Sequence, residues 1–179
     1  MKLDQVVDQP TIEAERILLR PLRKSDAGLL SLYAGDARVA KATQFLPHPY
    51  PPGAAENHIA RATAGDRSED VWALDGSASG LSELLGIVTL ARMDRGQSEI
   101  SYWVAPAFWN TGLASEAVRA MIAANPQDVR TYFAVVFQDN PGSARVLTNA
   151  GFEYIGDAEA FSVARGETVP TWTYLYRFA

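Results

Sequence analysis

The sequence predicts an α+β domain around a mixed sheet, and three observations lead to that class. Short β-rich stretches, some alternating and some continuously apolar, fall at 16–21, 71–74, 84–93, 99–104, 131–137 and in the tail. Between several of them lie segments whose apolar residues recur at helical spacing. The two periods interleave in the order β-α-α-β-β-β-α-β-α-β-β. The chain has 179 residues, 47% of them apolar and 21% charged, which suits one ordinary globular domain over 1–179.

Each element has a local reason. Arg16-Ile17-Leu18-Leu19-Arg20-Pro21 reads as a first strand bounded by charge and proline. Ser25-Asp26 looks like an N-cap ahead of Leu29, Leu30, Leu32 and Tyr33 on one helical face. Phe45 to Gly53 is too rich in proline for a helix or a central strand and reads as a stiff loop, followed by a helix near 54–62. Strands at 71–74, 84–93 and 99–104 are separated by the Gly/Ser-rich Asp75–Gly80 and by Asp94-Arg95-Gly96. From Gly112 the period lengthens: Leu113, Ala114, Ala117, Val118, Met121 and Ile122 form an apolar face, ended by Asn125-Pro126. A strand follows at 131–137. Asp139-Asn140-Pro141 then opens a helix that Gly151 closes, and 161–163 with 172–178 alternate like a hairpin.

Composition excludes several functions. With no cysteine there is no disulfide frame, thiolate metal site or cysteine nucleophile, so any acyl transfer would have to be direct or use another nucleophile. His48 and His58, one of them in a proline run, make no metal site. A net charge of −5 without a clustered basic stripe argues against nucleic acid. No apolar run approaches the ~20 residues that span a bilayer. The polar start MKLDQVVDQPTIEAER has no signal-like core, so a cytoplasmic location and no membrane partner are expected.

The segment from Ser98 to Ala117 carries the most information: a strand, a tight connection and a helix that opens on Gly112. Such a helix start leaves backbone N–H groups without partners and carries partial positive charge, which suits a phosphate or pyrophosphate. Gly112 admits close approach to the backbone, and Ala114 and Ser115 keep the entrance open.

Three patches in order give the chain a family likeness. They are Ile17-Leu18-Leu19-Arg20-Pro21-Leu22-Arg23 with Ser25-Asp26-Ala27; Glu99 to Ala117; and Asn140-Pro141-Gly142-Ser143-Ala144-Arg145-Val146-Leu147 with Ala150-Gly151-Phe152. In these the sequence resembles the GNAT superfamily of N-acetyltransferases, and within it the RimJ/RimL-like branch that acetylates ribosomal-protein N-termini. The likeness spans nearly the whole chain. It departs from the common pattern at Trp109, where Arg or Gln is usual, and at Asn110 and Thr111, where Gly and a basic residue are frequent. The tail also differs: Trp172-Thr173-Tyr174-Leu175-Tyr176 lacks the Asp or His that many relatives carry before the final aromatic pair.

The resemblance implies a mostly antiparallel sheet flanked by helices, with the strand ending at Val104 splaying from the strand 131–137. Acetyl-CoA would be the co-substrate, its pantetheine arm lying in that gap against backbone groups of Tyr102, Trp103 and Val104. The amides of Asn110, Thr111, Gly112, Leu113, Ala114 and Ser115 would take the pyrophosphate. Asn140 would contact the arm, Arg145 or Arg119 a phosphate, and Ser143 would protonate the departing thiolate. Glu99, the acid nearest this strand, is the candidate base through water. His48 and Tyr50, with Phe45 and Trp72 as further candidates, would border the acceptor.

The acceptor would be an amine, either a protein N-terminus or a small molecule such as an antibiotic, polyamine or amino acid. A non-catalytic coenzyme A module is the rival from another class. An α-amine, with pKa near ~7.8, costs only about 1 kcal/mol to deprotonate at pH 7, against roughly 4–5 kcal/mol for a lysine. The resemblance implies a monomer or a homodimer.

Overall fold

The computed structural model describes residues 6–179; residues 1–5, part of the polar start, lie outside the described residues. Eight strands form one sheet in the order β1-β2-β3-β4-β5-β6-β8-β7, with β1 Ile12–Glu13, β2 Leu18–Pro21, β3 Glu69–Asp75, β4 Gly86–Met93, β5 Gln97–Val104, β6 Thr131–Phe137, β7 Glu153–Ser162 and β8 Glu167–Arg177. Every neighbouring pair is antiparallel except β5 and β6, which are parallel. A parallel pair needs a crossover, and α4 (Leu113–Ala124) provides it. The other helices are α1 Ala27–Ala34, α2 Ala37–Ala42, α3 Ala54–Thr63 and α5 Pro141–Asn149.

The expected α+β class with a mixed sheet is the one observed, and the differences are local. The strand placed at 16–21 begins at Leu18, because Arg16 and Ile17 give their backbone N–H groups to Glu116 instead of to a strand. Asp26 does not cap α1 with its side chain; its carboxylate accepts from Arg20 and from the Arg23 backbone N–H. The short α2, unread in the sequence, is started by Asp36, whose carboxylate accepts from the Arg38 N–H. The final hairpin is far longer than 161–163 and 172–178, because β7 is an edge strand, mostly exposed, whose residues 153–160 carry little apolar alternation.

Strand alternation divides the core between the two faces of the sheet. On one face Ile100 and Val104 of β5 pack with Leu113, Ala117, Val118 and Met121 of α4 and with Ala144 and Leu147 of α5, and Tyr102 joins from the edge of that cluster. On the other face Trp103 packs against Leu30 and Ala34 of α1 and Ala55, Ile59 and Ala62 of α3. Two buried polar networks brace this frame. Arg20 bridges Asp26 and Asp75 at 2.8 and 2.7 Å. Asp70, 1% exposed, binds Arg67 and Arg92, and the Gln127 carboxamide ties Asp70, the Leu90 carbonyl and the Ser98 hydroxyl together. The second network lies where β5 and β6 meet.

Candidate active site

β5 and β6 pair only at Gln97↔Thr131, Ser98↔Tyr132 and Glu99↔Phe133. Beyond Glu99 they part, while β5 keeps its pairing to β4 as far as Val104 and β6 keeps its pairing to β8 as far as Phe137. Residues 100–104 and 134–137 therefore line the two walls of a cleft. It belongs to a cavity of about 1150 Å³, which reaches the helices on both faces of the sheet. That volume exceeds what a drug-sized ligand needs and suits a long one.

One end of the cavity is the turn before α4. Gly112 is the N-cap residue, in the left-handed region at φ +80°, with no side-chain cap. Asn110 also has positive φ, at 61°. Residues 110–115 all line the cavity. Among the described residues no group accepts a hydrogen bond from their backbone N–H groups, so the helix start offers its bare amides to the opening. The turn is held from behind. Arg16 donates through Nη1 to the Thr111 carbonyl at 2.8 Å and through Nε to Glu116 at 2.8 Å. Burial by itself would raise Glu116, but the hydrogen bonds from Arg16 and Ile17 outweigh it and hold the carboxylate below its usual range. Trp109 adds a second tie, its indole N–H donating to the Val104 carbonyl at 2.6 Å, with the Arg38 guanidinium 5.7 Å from its ring centroid.

Across the gap stands the start of α5. Asn140 is its N-cap, with Oδ1 accepting from the Ser143 N–H at 3.3 Å, and its amide nitrogen makes no hydrogen bond to a described group. Arg145 lines the cavity on the same helix, whereas Arg119 is exposed and away from it. Ser143 donates through Oγ to the Tyr102 phenol.

On the other face Glu99 and Trp103 line the cavity with Tyr50, His58, Arg61 and Glu69. Glu69 lies opposite Ala91, which lies opposite Glu99, so the two carboxylates flank one residue across three strands. Burial pushes Glu99 above the usual carboxylate range, and the charge of Glu69 pushes it further. Glu69 itself, exposed to the cavity yet enclosed by protein, is raised by desolvation, with Arg61 pulling the other way. Burial and then the charge of Arg61 lower His58 below the ordinary imidazole value.

Several placements were not legible beforehand. Trp72 is fully buried, its indole N–H bound to the Pro10 carbonyl, and lies in the core away from the cavity. His48 is exposed and is not among the lining residues, while Tyr50 and the 77%-exposed Phe45 are. His58, expected on a helix surface, is half-buried and faces the cavity. Glu69, Arg16 and the Tyr102 hydroxyl carried no sequence signal, because their partners are distant in the chain. Alternation along 99–104 was a usable signal for one thing only, the separation of Glu99 and Trp103 from Tyr102.

A parted parallel strand pair that leads to a bare helix start defines a class by its geometry: a fold with room for an extended ligand edge-on to its sheet and free amides suited to a phosphate. The sequence matches the acetyltransferase (GNAT) domain family over residues 16–153. The chain belongs to that family of N-acetyltransferases. It is 24% identical over 175 residues to the uncharacterized N-acetyltransferase p20 of Bacillus licheniformis, covering 92% of this chain and 94% of that one. Its fold is similar to that of RimL, a ribosomal alpha-N-protein acetyltransferase solved with coenzyme A (TM-score 0.81, 15% identity, 94% and 98% of the two chains). It is also similar to spermidine N-acetyltransferase from Vibrio cholerae, solved with CoA and spermine (TM-score 0.72, 16% identity, 89% and 95%). Among the described residues no His/Cys/Asp/Glu group could hold a metal, and no helix is long and apolar enough to cross a membrane.

Proposed function

We propose that this protein transfers an acetyl group from acetyl-CoA directly to an amine, and that the acceptor is a protein N-terminal α-amine. The observation that carries the reading is the continuity of one cavity from the amides of 110–115, through the gap above Glu99 and Phe133, to the pocket of Glu69 and Glu99. Acetyl-CoA supplies an activated acyl thioester; the residues bind and aim it. The amides of Asn110 to Ser115 take the pyrophosphate, aided by the charge of the α4 terminus. Backbone groups of Tyr102, Trp103 and Val104, with the Asn140 amide, steady the pantetheine arm. A backbone N–H at this gap also steadies the charge that develops on the acyl oxygen, a contribution of about 3–4 kcal/mol where such a donor is preorganised.

Placing amine and thioester together supplies most of the acceleration, about 7–11 kcal/mol. Glu99 takes the amine proton through water, and its raised pKa makes it a better base than an ordinary glutamate. The low cost of deprotonating an α-amine, about 1 kcal/mol at pH 7, favours that acceptor over a lysine side chain. A second reading, a polyamine acceptor, draws support from the two carboxylates flanking Ala91.

The test is calorimetry with acetyl-CoA, followed by thiol release on a panel of N-terminal peptides and of spermidine and spermine. Micromolar binding with turnover on peptides is expected. Turnover on polyamines alone would replace the first acceptor with the second. Tight binding without turnover on any amine would leave a coenzyme-binding module.

A further inference from the structure

Tyr102 stands on the β5 face that carries Ile100 and Val104, and its phenol reaches the first turn of α5. There Oη donates to the Ser143 carbonyl at 3.0 Å and accepts from the Ser143 hydroxyl at 2.9 Å. Both residues line the cavity, at a level where β5 and β6 have already parted. We propose that Tyr102 is a positioning residue acting through Ser143: it holds the serine hydroxyl where the sulfur of the thioester departs and supports that hydroxyl with a hydrogen bond as charge builds on sulfur. The inference rests on the coenzyme site proposed above and adds a side chain that is not part of the backbone cradle.

The chemistry follows from the two rotatable hydroxyls. Once the amine nitrogen has attacked, the C–S bond breaks and its electron pair stays on sulfur. The Ser143 Oγ–H turns from Tyr102 toward the thiolate, and the Tyr102 Oη–H turns from the Ser143 carbonyl to Oγ. The outcome is a chain in which phenol donates to serine and serine donates to sulfur. Bonds in such chains strengthen one another, and a donor to a charged acceptor is roughly twice as strong as a neutral one.

The pair stabilises charge without giving up a proton, so in this proposal Ser143 is a hydrogen-bond donor to sulfur and not the acid that the resemblance implies. Burial pushes the Tyr102 phenol well above its ordinary range, with the Ser143 hydrogen bond pulling less strongly the other way. A thiol titrates near ~8.5, so transfer from phenol to sulfur runs uphill. The amine loses its excess proton through water to Glu99 and the thiolate takes one from water, which closes the balance to amide and thiol.

A purely structural bridge would leave the sulfur's electronics unchanged, and that separates the two roles. Free coenzyme A, bound to wild type, Tyr102→Phe, Ser143→Ala and the double variant, is titrated through the alkaline range by its thiolate ultraviolet absorbance, with affinity at neutral pH measured by calorimetry. In either single variant the bound thiol should titrate about one pH unit higher than in wild type, a tenfold loss of thiolate stabilisation. The double variant should shift no further than Ser143→Ala, since the tyrosine acts through the serine. Affinity should stay within about threefold across the set. Equal midpoints in wild type and Tyr102→Phe, or single shifts that add in the double variant, would overturn the proposal. Wild type that fails to bind coenzyme A would overturn the coenzyme site itself, a separate result.

Discussion

Two regions of the sheet treat their polar groups in opposite ways. Between β2 and β3, Arg20 is 3% exposed and its donors are engaged: Nε on Asp75, Nη1 on the Pro21 carbonyl and Asp26, Nη2 on Asp26 and the Glu83 carbonyl. Between β5 and β6, the backbone of 110–115 keeps its amides unengaged, and the strand edges above Glu99 and Phe133 are unpaired to each other. The first region is architecture, because a buried charge persists only when it is matched. The second is where we propose the coenzyme binds, because donors that the chain leaves unmatched are available to a ligand. The frame around the open region is itself closed: the Asp70 and Gln127 network holds the paired end of β5 and β6, and Arg16 with Glu116 holds the turn.

The largest expected effect breaks the closed region. Arg20→Met removes the buried guanidinium that binds both Asp26 and Asp75, leaving Arg23 4.0 Å from Asp75, and should cost about 3–5 kcal/mol of stability by chemical denaturation. Burial raises Asp75, but hydrogen bonds from Arg20 and Ser77 outweigh it and leave its folded pKa lowered. Its contribution is therefore present above the unfolded carboxylate pKa and is lost as pH falls through the lowered folded value. Wild type and variant should converge in acid, and a gap that held constant with pH would contradict the assignment.

A smaller effect comes from filling the open region. A Cβ at Gly112 would stand 3.4 Å from the Arg16 guanidinium on a backbone of positive φ. Gly112→Val should lower acetyl-CoA affinity at least about a hundredfold, roughly 2.7 kcal/mol, while the far-ultraviolet spectrum stays native. Wild-type affinity in this variant would remove the turn from the site.

The smallest effect sharpens the comparison within the pocket. Glu69→Gln removes the like charge that raises Glu99, so the acidic limb of the rate profile should move to lower pH by under about one unit. No movement, or movement upward, would separate the two carboxylates.

Much of this was legible in local pattern. Gly112, Asn140-Pro141 and the alternation of 99–104 each have a cause within a few residues, so the helix starts and the two faces of β5 could be read directly. Glu99 was visible as an acid beside the site, but Glu69 was not, because 30 positions and an intervening strand separate them. His58 and Trp72 show the same limit in the other direction: helix and strand periods give a residue's face, and what covers that face depends on distant elements. The basic residue missing before Gly112 was legible as a departure, and only the folded chain places Arg16, nearly a hundred positions away, against that turn.

By itself the sequence determined most of the element order, without the two-residue β1 or the short α2, together with the family and the turn that begins α4, since each follows from short-range sterics, hydrogen bonding and periodicity. The tertiary structure decided where β5 and β6 stop pairing, which acid neighbours Glu99 and which hydroxyl meets Ser143. Those are contacts between segments far apart in the chain, and their geometry exists only once the sheet is assembled and its two faces are packed.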